Sequence, residues 1–298
     1  MSSQWRDGSF LVILTLIPIS LTHAEAPPAK NQAGADESVV RVKHQRGEDG
    51  WQIAETVNFQ LSHQHPRSFA EAVLRTAEQT RAAQMRKWFG EVGAKWEPKC
   101  RICLYPTGDA YGEATGAPVN PGGGHTDVRA EEGKVISRCI HVHGARAHLL
   151  KGIVPHEVTH AVLAGRLGGG RVPRWADEGM AVLAEAPKHI DMHLRYLPRW
   201  RADDALFTMR ALIEMHDYPE PRELGVFYAQ SVSLVDFLTR QKGAERFAAF
   251  VRDGQRDGYA ASLRKHYGWS FADLDRHWKQ HAFYSKSMGE DTTTGGGG

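Results

Sequence analysis

The stretch His156-Glu157-Val158-Thr159-His160 constrains this chain more than any other, because of the residues around it. Ile153, Val154, Val158, Ala161, Val162, Leu163, Ala164 and Leu167 flank or fill it. The spacing predicts a helix over 147–167 that is apolar on most sides and therefore buried. Buried imidazoles and a buried carboxylate need partners. On an α-helix, residues i and i+4 differ by about 40° in azimuth and about 6 Å in rise, which sets His156 and His160 side by side. Two imidazoles so placed can share one metal ion. Glu157 lies beside the pair, where it can act as a base without occupying the metal.

A third ligand has to come from a second element. Gly168, Gly169 and Gly170 are expected to cap the first helix, and Arg171 to Pro173 to turn the chain. A second helix is predicted over 175–186 (WADEGMAVLAEA), with Glu178 in its first turn. A helix–turn–helix of this size brings that turn back against the first helix. Two histidines, one carboxylate and an open position are the donor set of catalytic rather than structural zinc. Asp177 is expected to cap the second helix or to lie at the surface, the alternative being a carboxylate that orients a histidine ligand.

Taken together, I-V-P-H-E-V-T-H-A-V-L-A and V-P-R-W-A-D-E-G-M-A resemble the gluzincin zinc metallopeptidases, especially their peptidase MA-like group of exported proteins. The likeness rests on His156, Glu157, His160, Pro173, Trp175, Glu178, Gly179 and Ala181. It is close over 153–186 and looser over about 50–285. It implies one catalytic Zn²⁺ on His156, His160 and Glu178, with Glu157 as base, acting on a peptide or protein substrate. Endopeptidase action is the expectation, since no exopeptidase motif stands out. The resemblance also points to Tyr228, in the Y-A-Q-S segment, as the donor that stabilises the oxyanion. A buried core tyrosine explains Tyr228 equally well, and His193 and His216 are weaker rivals. Two other readings stay open: a non-catalytic binding or scaffold protein on the same fold, and a zinc hydrolase of a non-peptide amide.

Outside the motif, strands are predicted at 53–61, 100–105 and 135–143, with a long amphipathic helix at 68–90. The last of these strands is a candidate sheet edge for pairing with an extended substrate. A Gly/Pro/Asn/Asp-rich stretch, 107–125, reads as a long loop. His125 in that loop, and His141 and His143 on the third strand, are expected in surface or packing roles. Helices are predicted at 202–216, 227–241, 244–252, 258–266 and 271–284. The fold class is therefore α+β: a small N-terminal β-sheet with a long helix, then the motif helix, then a mainly α-helical C-terminal part.

One domain over 51–286 fits this order. Before it, Phe10 to Leu21 forms an apolar run too short to span a membrane comfortably. With small residues at Thr22 and Ala24, it reads as a signal peptide, residues 1–24, and predicts a secreted or periplasmic protein without a stable membrane span. An uncleaved N-terminal anchor is the rival. Residues 25–50 read as a flexible linker, and 287–298, ending in TTTGGGG, as a disordered tail. The formal charge of +2, from 37 basic and 35 acidic residues, gives no drive toward nucleic acid.

Three cysteines, Cys100, Cys103 and Cys139, suggest one disulfide and one free thiol in an exported chain. Residues three apart on a strand face opposite ways, so a bridge from Cys100 or Cys103 to Cys139 is expected rather than one within C-x-x-C. A structural zinc ion would need further ligands, for which His141 and His143 are available.

Overall fold

The computed structural model describes residues 40–47, 50–116, 123–167 and 172–284. A six-stranded sheet has the order β1-β2-β3-β4-β6-β5. Its strands are β1 (Lys43–Arg46), β2 (Gln52–Glu55), β3 (Phe59–His63), β4 (Cys100–Leu104), β5 (Gly124–Glu131) and β6 (Lys134–Val142). β3, β4 and β6 run parallel at the centre, and the remaining pairs are antiparallel. Helix α1 (Arg67–Phe89) makes the crossover from β3 to β4. After β6 the chain is helical. The elements are α2 (Gly108–Thr115, between β4 and β5), α3 (Arg146–His148), a π-helical turn at Leu149–Ile153, α4 (Val154–Arg166) and α5 (Arg174–Val182). They continue as α6 (Pro187–Leu194), α7 (Leu197–Ala202), α8 (Met209–Ile213), α9 (Leu224–Lys242), α10 (Ala244–Asp257), α11 (Tyr259–Tyr267) and α12 (Phe271–Tyr284). The α+β class expected from the sequence is the one found.

Strand alternation builds the first hydrophobic core. Cys100, Ile102 and Leu104 of β4 and Ile140 and Val142 of β6 point to one face, where α1 and α4 cover them. A second core gathers α5, α8, α9, α10, α11 and α12 around Trp175, Phe227, Phe247 and Trp278. Helix α4 belongs to both. Val154, Val158, Ala161 and Val162 join the sheet core, while Leu163 joins the helical one. Burial on two sides is why this helix is apolar over most of its surface.

Several boundaries differ from expectation, each for a local reason. The strand predicted over 53–61 is two strands, β2 and β3, joined by a tight connection in which Thr56 N donates to the Phe59 carbonyl. Strand β1 falls inside the segment expected to be linker, where its hydrogen bonding to β2 compensates for an exposed, polar sequence. The expected loop 107–125 contains α2, whose Thr107 side chain caps the Ala110 amide, and the first residues of β5. The expected edge strand at 135–143 is interior; β5 is the edge on that side. β5 (GHTDVRAE) has little apolar alternation because this edge strand buries none of its residues fully. The helix expected at 202–216 is reduced to α8, and α6 and α7 precede it.

The cysteines also depart from expectation, since all three are free thiols. The predicted orientation does hold. Cys100 is buried in the sheet core and Cys103 faces the opposite side. Arg101, not Cys103, is the direct neighbour of Cys139 across the β4–β6 pair. Cys103 and Cys139 therefore sit diagonally rather than directly opposite each other, with their sulfurs unbonded but within 4.8 Å. The expected signal peptide, most of the expected linker, the glycine cap at 168–170 and the tail lie outside the described residues. No helix among the described residues is long and apolar enough to cross a membrane.

The closest packing that positions the site is between α5 and α9. A Cβ on Gly179 would sit 2.5 Å from Val235 Cγ2 and 2.7 Å from the Ser231 carbonyl oxygen. Only hydrogen fits there, so the residue after Glu178 has to be glycine for the helices to meet. Gly179→Ala should lower unfolding free energy by about 1–3 kcal/mol, as overpacked cores do. Denaturant unfolding checks this; an unchanged midpoint would contradict it.

Candidate metal centre

His156 and His160 project from the same face of α4, with ring centroids 4.8 Å apart. Glu178, 2% exposed, comes from α5 to meet them. Its Oε2 lies 3.2 Å from His156 Nε2 and 3.8 Å from His160 Nε2. Three potential ligand atoms therefore converge on one point. A tetrahedral zinc ion with bonds of about 2.0–2.1 Å keeps its ligand atoms about 3.3 Å apart. Glu178 Oε2 is buried without a well-formed hydrogen bond, an orphan that a cation at this point would satisfy. The donor set fits a metal ion.

Carboxylates hold both histidines in place. His160 Nδ1 donates to Asp177 Oδ1 at 2.8 Å, and His156 Nδ1 donates to Glu185 Oε1 at 2.9 Å. Those bonds leave both Nε2 atoms facing Glu178 with lone pairs available. Asp177 thus corrects the expectation of a cap or surface residue. Pro173 occupies the N-cap of α5, no side chain caps that helix, and Asp177 is 9% exposed. The π-helical turn has a part as well. Lys151, within it, offers its carbonyl to the Ala186 amide at 2.8 Å, which holds Glu185 beside α4. Tyr218 donates to Glu178 Oε1, with Arg174 stacked on the Tyr218 ring.

Glu157 is buried beside the histidines, and Thr126 on β5 holds it. The Thr126 hydroxyl lies 2.7 Å from Glu157 Oε2, to which it donates, and 3.0 Å from the Glu157 carbonyl oxygen. Tyr228 on α9 faces the same space, as does His193, whose ring lies 5.8 Å from that of Tyr228. His216 is exposed outside it. The structure therefore brings His156, Glu157, His160, Glu178 and Tyr228 to one cleft of about 1510 Å³. His125 also borders the cleft, and its Nδ1 is bonded to the Tyr111 hydroxyl. His143 packs on Tyr111, and His141 on Tyr105.

Sequence reading missed Thr126, Glu185 and Tyr218. Glu185 carried a signal, for it lies seven residues after Glu178 in the predicted helix and so on the same side. Thr126 and Tyr218 carried none, because their roles come from where β5 and the loop before α9 arrive.

The electrostatics follow from this crowding. Burial opposes charge on His156, but Glu178 and Glu185 override it and raise its pKa well above the ordinary value. Burial opposes charge on His160 too, and Asp177 and Glu178 bring its pKa up to about 9. Burial would raise the Glu178 carboxyl, but the two imidazoles hold it down at about 2. The site is built to carry positive charge, whether as protons or as a metal ion.

An α+β fold with two histidines and a glutamate around one point, and a second glutamate beside them, defines a metallopeptidase-like protein. The profile of the Peptidase MA superfamily matches residues 87–284. The chain belongs to that superfamily, whose members are peptidase-like hydrolases and typically metal-dependent. No curated protein matches the sequence closely enough to add to this.

Metal binding here has to displace protons, and the sign follows. With His160 titrating at about 9, the proton it gives up should raise apparent Zn²⁺ affinity roughly tenfold per pH unit, a contribution that levels off above about pH 9. In the metal-free chain, charged His160 stabilises the fold fully below about pH 6.5, and that contribution is lost as pH rises through about 9. Zinc titration and thermal melts across pH 6–10 check both; a flat affinity profile would contradict the assignment.

Proposed function

We propose that this protein is an exported, zinc-dependent peptidase, and that it cleaves internal peptide bonds. The observation that carries the reading is the convergence of His156 Nε2, His160 Nε2 and Glu178 Oε2 beside an intact Glu157. His156, His160 and Glu178 would hold the ion, which supplies Lewis-acid polarisation of the scissile carbonyl and lowers the pKa of water. Glu157 takes the proton from the attacking water and passes it to the leaving amine. Thr126 keeps the Glu157 carboxylate aimed into the cleft. Tyr228 donates to the oxygen that becomes negative as the carbonyl carbon turns tetrahedral. Burial, and then the neighbouring Glu178 carboxylate, push its phenol far above the ordinary range, so it keeps its proton at neutral pH. Tyr218 acts one step back, fixing the orientation of Glu178.

A peptide substrate is favoured over a non-peptide amide by the cleft wall. Residues of β5 from Gly124 to Glu131 line it, and β5 is an edge of the sheet. An extended peptide can add to such an edge through main-chain hydrogen bonds, which read backbone rather than sequence. Export rests on the apolar run from Phe10 to Leu21, with secretion or a periplasmic location as its outcome.

The test compares the full chain with Glu157→Gln on a mixed peptide library, with metal analysis of both. Glu157→Gln should lose about 10²–10⁴-fold in kcat/KM while metal content is unchanged. Equal cleavage by both forms would remove Glu157 from the chemistry, and no cleavage by either would sink the peptidase reading. Tyr228→Phe should lower kcat by about 10²–10³-fold with KM little affected; an unchanged kcat would return Tyr228 to a packing role.

A further inference from the structure

The sheet has a second cluster of metal-ligating side chains, on the face turned away from α1 and α4. On β4 and β6, the alternation that buries Ile102, Ile140 and Val142 turns Cys103, Cys139 and His141 to the other side. The register brings them together. Cys103 is directly opposite His141 across the parallel β4–β6 pair, and Asp127 of β5 is directly opposite Cys139. One ligand atom from each of Cys103, Cys139 and His141 lies within 4.8 Å of the others. One atom from each of His125, Asp127 and His141 does the same. His141 Nε2 is 3.1 Å from Cys139 Sγ, while its Nδ1 is 2.8 Å from the Tyr105 hydroxyl. An Nδ1–H donated to Tyr105 leaves the Nε2 lone pair on the side of the sulfurs, the arrangement that orients a histidine ligand.

We propose that Cys103, Cys139 and His141, with Asp127 closing the shell, bind a zinc ion that is structural rather than catalytic. Two sulfurs and an imidazole are soft, tetrahedral donors suited to Zn²⁺. A disulfide is the alternative use of these thiols, which are free in the structure, and two Zn–S bonds of about 2.3 Å each suit sulfurs within 4.8 Å of one another. The ion would join three adjacent strands. Among them is β5, which carries Thr126 toward Glu157 on its other face. It would thus pin the edge strand that borders the cleft.

The test uses the full chain, purified reduced and loaded with Co²⁺. A thiolate-to-cobalt charge-transfer absorption is expected, because the centre on α4 and α5 contains no sulfur. It should persist in the His156→Ala/His160→Ala variant and vanish in Cys103→Ser/Cys139→Ser. With zinc, each double variant should hold one ion fewer per chain than the parent. The wild-type chain supplies a control that needs no variant: Zn²⁺ should protect Cys103 and Cys139 from alkylation, read by peptide mass spectrometry, and a chelator should restore their reactivity. The proposal is overturned by absence of the charge-transfer band, by alkylation that zinc does not slow, or by a Cys103–Cys139 disulfide in the native protein.

Discussion

Helix α4 is packed on both sides, against the sheet core through Val158 and Val162 and against the helical core through Leu163. The rest of the site depends on this constraint. A helix buried twice has room for polar groups only along the seam between its two neighbours, and His156, Glu157 and His160 occupy that seam. Each polar group placed there loses its hydration and has to be answered by another. Asp177 and Glu185 answer the outer nitrogens of the histidines, Glu178 faces the inner ones, and Thr126 answers Glu157. All but Thr126 come from α5 or the turns that follow it. The tight α5–α9 contact at Gly179 is therefore part of the site's geometry, although Gly179 touches no reacting atom.

The charge arrangement follows from the same crowding. Three carboxylates converge on two largely buried imidazoles. The histidines are driven toward their charged forms, and Glu178 is held ionised far below the usual range. A site of this kind discriminates strongly in favour of a cation. In the proposed reaction, the two tyrosines nearest Glu178 keep their protons for the same reason the histidines gain theirs. Burial beside a carboxylate disfavours a phenolate.

How much of this was legible in the sequence depended on range. His156, Glu157, His160 and Glu178 could be read because helical spacing is local, and the apolar residues around them showed that they were buried. Asp177 was misread because an acidic residue near a helix start is usually a cap; only the approach of α4 shows that His160 takes it instead. Thr126 and β5 were missed because an edge strand that buries none of its residues fully carries little alternation. The cysteines were misread at the last step. Strand alternation predicted which way they face, but the β4–β6 register that sets Cys103 diagonal to Cys139 is fixed by the whole sheet.

The measurement that tests the central claim most directly is zinc K-edge absorption fine structure on the Cys103→Ser/Cys139→Ser variant of the full chain. That background removes the sulfur ligands of the second cluster, so zinc held there no longer overlays the α4–α5 signal. The account predicts one equivalent of zinc with nitrogen and oxygen neighbours at about 2.0–2.1 Å, including the outer-shell scattering of two imidazoles, and loss of that signal in Glu178→Ala. Zinc that fails to bind, or that binds with the same spectrum when Glu178 is removed, would contradict it.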